Sequence, residues 1–162
     1  FILCTVHRAE NTDSPTRLKA IFSAFIEIAE LINVIVPLHP RTRKILESEG
    51  FDFKSLVVLE PLGYLNMVWL IEHSSLVMTD SGGLQKEAYF LSTPCITLRD
   101  ETEWVELVEV GANRLVGADK SEIINGYNTI SHSNSPFDST DNSLYGKGNA
   151  SSLIVSDILS EG

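Results

Sequence analysis

Val77-Met78-Thr79-Asp80-Ser81-Gly82-Gly83-Leu84-Gln85-Lys86-Glu87-Ala88 is the stretch on which the fold turns. A short apolar run of buried-strand character passes through Ser-Gly-Gly straight into a segment of helical composition. Paired glycines let a backbone approach an oxyanion closely, while the first amides of a helix are unsatisfied at the positive end of its dipole. The stretch therefore reads as a diphosphate cradle. Ser81 adds a hydroxyl donor, and Glu87, about one turn into the helix, suits ribose hydroxyls. The same residues describe equally well a tight strand-to-helix turn capped by Ser81, and the motif alone does not choose. It is not the Gly-x-Gly-x-x-Gly pattern of dinucleotide enzymes, and Gly146-Lys147-Gly148 is not a complete phosphate loop, so NAD and ATP lose ground.

Outward from this stretch, apolar runs of four to six residues alternate with longer segments of helical period. The strands expected are Phe1–Val6, Asn33–Pro37, Leu56–Leu59, Leu76–Thr79, Cys95–Leu98 and Arg114–Val116. Several are apolar on both faces, as buried parallel strands are. The fold class expected is α/β, a Rossmann-like three-layer arrangement of a parallel sheet with helices on both faces. The first long helix is the clearest. Ser14 caps it, Pro15 suits its first turn, and Leu18, Ile21, Phe22, Phe25, Ile28, Ala29 and Ile32 form its stripe. Further helices are expected at Arg41–Glu49, ending at Gly50, at Tyr64–Glu72, at Gly83–Leu91, at Glu103–Val110, ending at Gly111, and at Ser121–Ile130. Residues 131–148 turn to Ser, Asn, Asp and Gly and read as a long polar loop, and 149–161 read as a closing amphipathic helix.

Composition bounds the function. The chain has 162 residues, 12 basic and 22 acidic, for a net charge of −10. Such a chain lacks the cationic face that displaces counterions from a phosphate backbone, so nucleic acid is not an expected partner. With 43% hydrophobic and 21% charged residues it is not a disordered chain, and its length suits one domain over 1–162. No apolar run approaches a membrane span, so a soluble, cytoplasmic protein without a membrane partner is expected. The two cysteines, Cys4 and Cys95, sit in apolar runs and read as core residues rather than a disulfide. Asn149-Ala150-Ser151 fits the glycosylation triplet but reads better as a helix start. The sequence opens in mid-strand at Phe1-Ile2-Leu3, and the expectation is a domain excised from a longer protein.

Two more constellations follow strands. Thr5-Val6-His7-Arg8-Ala9-Glu10-Asn11 supplies a proton-transfer group in His7, a phosphate or carboxylate partner in Arg8, and an orienting carboxylate in Glu10; a solvated polar loop is the equal alternative. In open α/β sheets such residues fall where ligands gather. His39, in Pro37-Leu38-His39-Pro40-Arg41, repeats the placement, though a structural role before a turn fits it better. Arg99-Asp100-Glu101-Thr102-Glu103-Trp104-Val105-Glu106 carries a net charge of −3 around one aromatic, its carboxylates suited to capping or sugar hydroxyls. No Cys/His spacing suggests a metal, and no Gly-x-Ser-x-Gly elbow suggests a hydrolase.

Taken together and in order, these motifs resemble the carboxy-terminal half of the non-hydrolysing UDP-N-acetylglucosamine 2-epimerases. The resemblance rests on His7-Arg8-Ala9-Glu10-Asn11, on Pro61 with Tyr64-Leu65 and Val68-Trp69-Leu70, on Thr79 to Gln85 with Glu87-Ala88, on Arg99-Asp100 with Thr102-Glu103, on Gly111 with Arg114 to Gly117, and on Tyr145-Gly146 with Gly148 and Ala150-Ser151. It implies the second lobe of a two-lobed enzyme of the glycosyltransferase-B type, whose members interconvert UDP-N-acetylglucosamine and UDP-N-acetylmannosamine. They eliminate UDP and add it back after the proton returns to the other face of C2, with no redox cofactor. Carried over, Ser81, Gly82, Gly83 and Glu87 hold UDP and His7 lies near the diphosphate as the catalytic candidate. Arg8 and His39 resemble contacts to a second, activating UDP-sugar, and Glu10, Arg99 and Glu103 are further candidates for substrate or allosteric contacts. The family's acid/base carboxylates belong to the amino-terminal lobe, which is this chain's implied partner, and a homodimer is implied for the full-length protein. The chain alone is therefore expected to bind UDP without turnover.

Departures from the family pattern bear on the substrate. Where well-known members carry Thr-Glu-Arg-Pro-Glu, this chain has Thr102-Glu103-Trp104-Val105-Glu106, and Leu62 and Met67 replace a Gln and an aromatic beside the uracil pocket. The Trp form fits either the plain substrate or a modified one such as UDP-2,3-diacetamido-glucuronic acid. The donor lobe of a UDP-sugar glycosyltransferase and a non-catalytic nucleotide-sugar sensor are the other readings.

Overall fold

A computed structural model describes residues 1–132, 144–146 and 148–160. Strands β1 (Ile2–Thr5), β2 (Val34–Pro37), β3 (Val57–Leu59), β4 (Leu76–Thr79), β5 (Cys95–Thr97) and β6 (Asn113–Leu115) form one sheet in the order β3-β2-β1-β4-β5-β6. Every pairing is parallel. β1 and β4 are buried at every residue, and all but their last residues, Thr5 and Thr79, are apolar, as strands covered on both faces require. They pair over their whole length, Ile2 with Leu76 through Thr5 with Thr79.

The chain winds to one side from β1 through β2 to β3, then returns to start the other half at β4. β1 and β4 thus flank the point where strand order reverses, and a crevice opens beyond their carboxyl ends.

The helices are α1 (Ala9–Thr12), α2 (Pro15–Ile28), α3 (Pro40–Ser48), α4 (Tyr64–His73), α5 (Gly82–Phe90), α6 (Val105–Glu109), α7 (Lys120–Ser131) and α8 (Ala150–Ser160). Apolar side chains of α2, α3 and α7 pack on one face of the sheet, with Phe22 and Phe25 at the centre of that layer. Those of α4 and α5 close the other face around Leu3, Val77 and Cys95. Ser14 accepts from the Arg17 amide at the start of α2, and Asp119 accepts from the Ser121 and Glu122 amides at the start of α7. α3 and α6 are followed by Gly50 and Gly111, at φ +70° and +75°, the left-handed exit the sequence anticipates.

Four local differences have physical causes. α1 forms where a polar loop was one reading, because Asn11 is tied by its side chain to Asp80 and to the Leu98 carbonyl. α2 ends at Ile28, four residues early, while Ala29 and Ile32 still pack on the core. β6 begins one residue early, and the Val116 amide still donates to the Thr97 carbonyl at 3.0 Å. α6 starts at Val105 rather than Glu103, since Glu103 and Trp104 are engaged with other segments. Much of the polar loop expected at 131–148 lies outside the described residues, but Ser131 belongs to α7 and Tyr145 packs at the edge of a small cluster of Tyr89, Leu107 and Ala112.

Cys4 and Cys95 are buried, free thiols. Burial pushes Cys95 up to about 12 and Cys4 well above its ordinary value, so neither acts as a nucleophile near neutral pH. No helix among the described residues is long and apolar enough to cross a membrane.

Candidate functional site

The site begins with a carboxylate the sequence did not single out. Asp80 follows the last residue of β4, is 0% exposed, and lies under the loop that leaves β1. Its oxygens accept from the His7 amide at 3.1 Å, the Arg8 amide at 3.0 Å and Asn11 Nδ2 at 3.1 Å. Below it the hydroxyls of Thr5 and Thr79 join β1 to β4 at 2.6 Å, and Thr79 Oγ1 also accepts from the Ser81 amide. Asp80 thereby fixes the His7-Arg8 segment beside the start of α5. The only local signal is an acidic residue directly after an apolar strand. Asn11 extends the network, since its Oδ1 accepts from Arg17 Nε, and Arg17 reaches Asp100 at 2.8 Å.

His7 is displayed rather than buried, its side chain 53% exposed and its Nδ1 3.5 Å from Asp80 Oδ1. A carboxylate facing Nδ1 favours a proton there and leaves Nε2 for a ligand. His7 and His39 together stand between two hollows. One, about 310 Å³, is floored by Val6, Pro37, Met67 and Leu84; the other, about 190 Å³, adds Thr12, Arg41 and Thr42. The first has the volume of a small ligand pocket and an apolar floor suited to a flat base. A larger hollow of about 440 Å³ runs beside β6 and holds none of the candidate residues. His39 also has the structural role expected of it, since its Nδ1 accepts from the Arg41 amide at the start of α3.

α5 opens at Gly82, with Ser81 as N-cap accepting from the Leu84 amide. Neither the Gly82 nor the Gly83 amide has an acceptor among the described residues. The two glycines differ. Gly82 is buried, and a Cβ there would stand 3.1 Å from Glu103 Oε1 and 3.3 Å from Trp104 Nε1. Gly83 is exposed, and a Cβ there would meet nothing nearer than Ser81 Oγ at 3.8 Å. Glu87 is half-buried further along α5, with no side-chain partner among the described residues.

Arg8, Glu10, Arg99 and Glu103 are brought together as a chain of alternating charge. Arg99, 11% exposed, donates to Glu10 at 3.2 Å and to Glu103 at 2.6 Å, and Arg8 approaches Glu103 at 3.7 Å. Glu103 is thus spoken for by two guanidiniums and by its place over Gly82. Its carboxyl is held below the ordinary 4.5, first by its own backbone amide and then, against the cost of burial, by Arg99 and Arg8. Because the folded value is the lower one, this contribution is complete above the unfolded value and is lost as pH falls through the folded one. An acid titration followed by carboxyl NMR is expected to put the Glu103 midpoint below 4.5. A midpoint above that value would contradict the geometry.

Among the described residues no three His, Cys, Asp or Glu side chains group as metal ligands. What the crevice offers is two free amides, a hydroxyl, an imidazole and an apolar pocket, an arrangement for a phosphorylated ligand with a flat base.

Comparison with known proteins agrees with this chemistry. The family model for UDP-N-acetylglucosamine 2-epimerase matches residues 1–159. A Pseudomonas aeruginosa UDP-2,3-diacetamido-2,3-dideoxy-D-glucuronate 2-epimerase is 52% identical over 96% of this chain and 43% of its own length. A Methanococcus maripaludis UDP-N-acetylglucosamine 2-epimerase homolog is 48% identical, again over 96% of this chain and 43% of its own. The crystal structure of the Methanocaldococcus jannaschii UDP-GlcNAc 2-epimerase in complex with UDP-GlcNAc and UDP superposes with a TM-score of 0.81 at 40% identity, covering 100% of this chain and 45% of that one. The chain thus spans under half the length of these relatives.

Proposed function

The chain belongs to the UDP-N-acetylglucosamine 2-epimerase family, and we propose that it is the nucleotide-binding second lobe of such an enzyme. The observation that carries this is the pair of unpartnered amides at Gly82 and Gly83, set beside His7 at the reversal point of the sheet. In this reading the diphosphate lies on those amides and Ser81, the ribose reaches Glu87, and the uracil enters the pocket floored by Met67 and Leu84. Arg8 and Glu10 line the entrance, and Arg99 and Glu103 hold them in place.

The reaction is interconversion of UDP-N-acetylglucosamine and UDP-N-acetylmannosamine. UDP leaves when its growing charge is met by donors already in place, here a helix start and a hydroxyl. Proton transfer at C2 falls to carboxylates of an amino-terminal lobe. Support for such a lobe comes from α8, which buries no residue and leaves Leu153, Ile158 and Leu159 58%, 68% and 74% exposed. An isolated helix of that length is marginal in water and needs an apolar surface to lie on. The full-length enzyme is read as cytoplasmic, where nucleotide sugars are made.

A second substrate is favoured by particular observations. The Pseudomonas relative is named for a diacetamido uronate, and Trp104 stands where well-known members carry Arg. Incubation of the full-length protein with UDP-N-acetylglucosamine alone, and separately with UDP-2,3-diacetamido-glucuronic acid, decides. An epimerase makes the manno isomer of one of them with no acceptor present. A transferase makes neither. For the chain itself, calorimetry is expected to show UDP binding, weakened about five- to tenfold by Ser81→Ala, which removes a donor and a cap. A folded sample that takes no UDP would end this reading.

A further inference from the structure

Trp104 is the one aromatic residue in Arg99–Glu106, and beyond its bearing on substrate choice it also touches the cradle. Its indole Nε1 donates to the Gly82 carbonyl at 2.9 Å. That carbonyl shares one rigid peptide plane with the Gly83 N–H, on the opposite edge. A donor on the oxygen therefore orients the amide and polarises it, making the N–H a stronger donor to whatever lies beyond.

The indole is itself held firmly. The Trp104 amide donates to Thr102 Oγ1 at 3.2 Å, and that hydroxyl donates to Oε1 of buried Gln85 at 2.7 Å, so the loop after β5 grips α5 at residues 82 and 85. Lys86 Nζ lies over the indole at 3.8 Å and over the Tyr145 ring at 4.2 Å. A cation this near a helix N-terminus is opposed by the dipole, and the two ring faces offset that repulsion. Tyr145 in turn donates to Glu106 Oε1 at 2.6 Å. The indole approaches this closely because residue 82 has no Cβ.

We propose that Trp104 is a positioning residue for the diphosphate, acting through the Gly82–Gly83 peptide, with Lys86 and Tyr145 holding the indole in register. The proposal rests on the reading of Gly82 and Gly83 as the diphosphate cradle. It makes a distinction that mere packing does not, because the loss should fall on the phosphate and spare the base.

The test compares UDP with uridine by calorimetry on the unsubstituted chain, on Trp104→Phe, which keeps a ring under Lys86 and removes the N–H, and on Lys86→Met. Trp104→Phe is expected to bind UDP about fivefold more weakly, the worth of one neutral hydrogen bond, with uridine unchanged; Lys86→Met is expected to lose about twofold in the same sense. Unchanged UDP affinity in Trp104→Phe overturns the proposal, and so does an equal loss for uridine, which would mean general loosening. A second measurement does not depend on that variant folding. Trp69→Phe leaves Trp104 as the sole indole of the two in the chain, and its emission is expected to change with UDP and not with uridine. Emission indifferent to UDP while calorimetry shows binding overturns it too. If the folded, unsubstituted chain takes no UDP, the cradle itself fails and the proposal goes with it, an outcome distinct from the others.

Discussion

Asp80→Ala is expected to lower the thermal midpoint by about 10 °C and to remove UDP binding. The carboxylate accepts from two backbone amides and one side-chain amide, at 3.0 to 3.1 Å, in a place with no exposure. Hydrogen bonds to a charged group contribute about 1.5–3 kcal/mol each, and donors left unsatisfied in the interior cost more than donors never placed there. Allowing for water entering beside His7 and Arg8, a net loss of about 3–4 kcal/mol follows. For a domain of this size each kcal/mol moves the midpoint by about 2–4 °C. The binding loss has a separate cause: Asp80 holds the His7 segment at its place by the α5 amides, and a freed loop carries His7 away. Asp80→Asn, which keeps the shape but turns one acceptor into a donor facing other donors, is expected to fall between. Differential scanning calorimetry checks the first number. A midpoint within about 2 °C of the unsubstituted chain would show that the loop is held by something else.

Asp80 also marks where the sequence stops being legible. The strands could be read because β1 and β4 are apolar on both faces, a property each residue carries by itself. The helix starts could be read because Ser14-Pro15 and Ser81-Gly82 place the capping atom next to the amides it serves. The partners of Asp80 lie 69 to 73 residues earlier in the chain, and no local pattern connects them. Trp104 is similar: its bond to the Gly82 carbonyl crosses 22 residues, and only packing of the loop after β5 on α5 creates it. The resemblance to a family supplied which residues gather at the crevice, His7, Arg8, Ser81 and the glycines, but not which of them act on one another. Lys86 carries no signal at all, since a cation between two rings looks in sequence like an ordinary surface lysine, and Tyr145, although part of the family pattern, gives no sign there of the lysine and the carboxylate it meets.

The two glycines of the cradle separate structure from function more sharply than any other pair. Gly82→Ala forces a methyl to within 3.1 Å of Glu103 Oε1 and 3.3 Å of the indole nitrogen, so it is expected to disturb the loop after β5 and weaken fold and binding together. Gly83→Ala meets only Ser81 Oγ, at an ordinary contact distance of 3.8 Å, and φ there is not in the left-handed region. Exchanging glycine for alanine at a helical position is worth up to about 1 kcal/mol in favour of the fold. The fold thus has no use for a glycine at 83 and forgoes stability by keeping one. A Cβ in a helix tilts toward the N-terminus, so a methyl at 83 leans to the side on which the free amide must receive an oxyanion within about 3 Å of its nitrogen. Gly83→Ala is therefore expected to leave the thermal midpoint equal or higher while UDP affinity falls at least about tenfold, as one lost charge-assisted hydrogen bond requires. Calorimetry on the two alanine variants checks both halves. If Gly83→Ala binds UDP as well as the unsubstituted chain, the space above that amide is solvent, and the nucleotide lies elsewhere in the crevice.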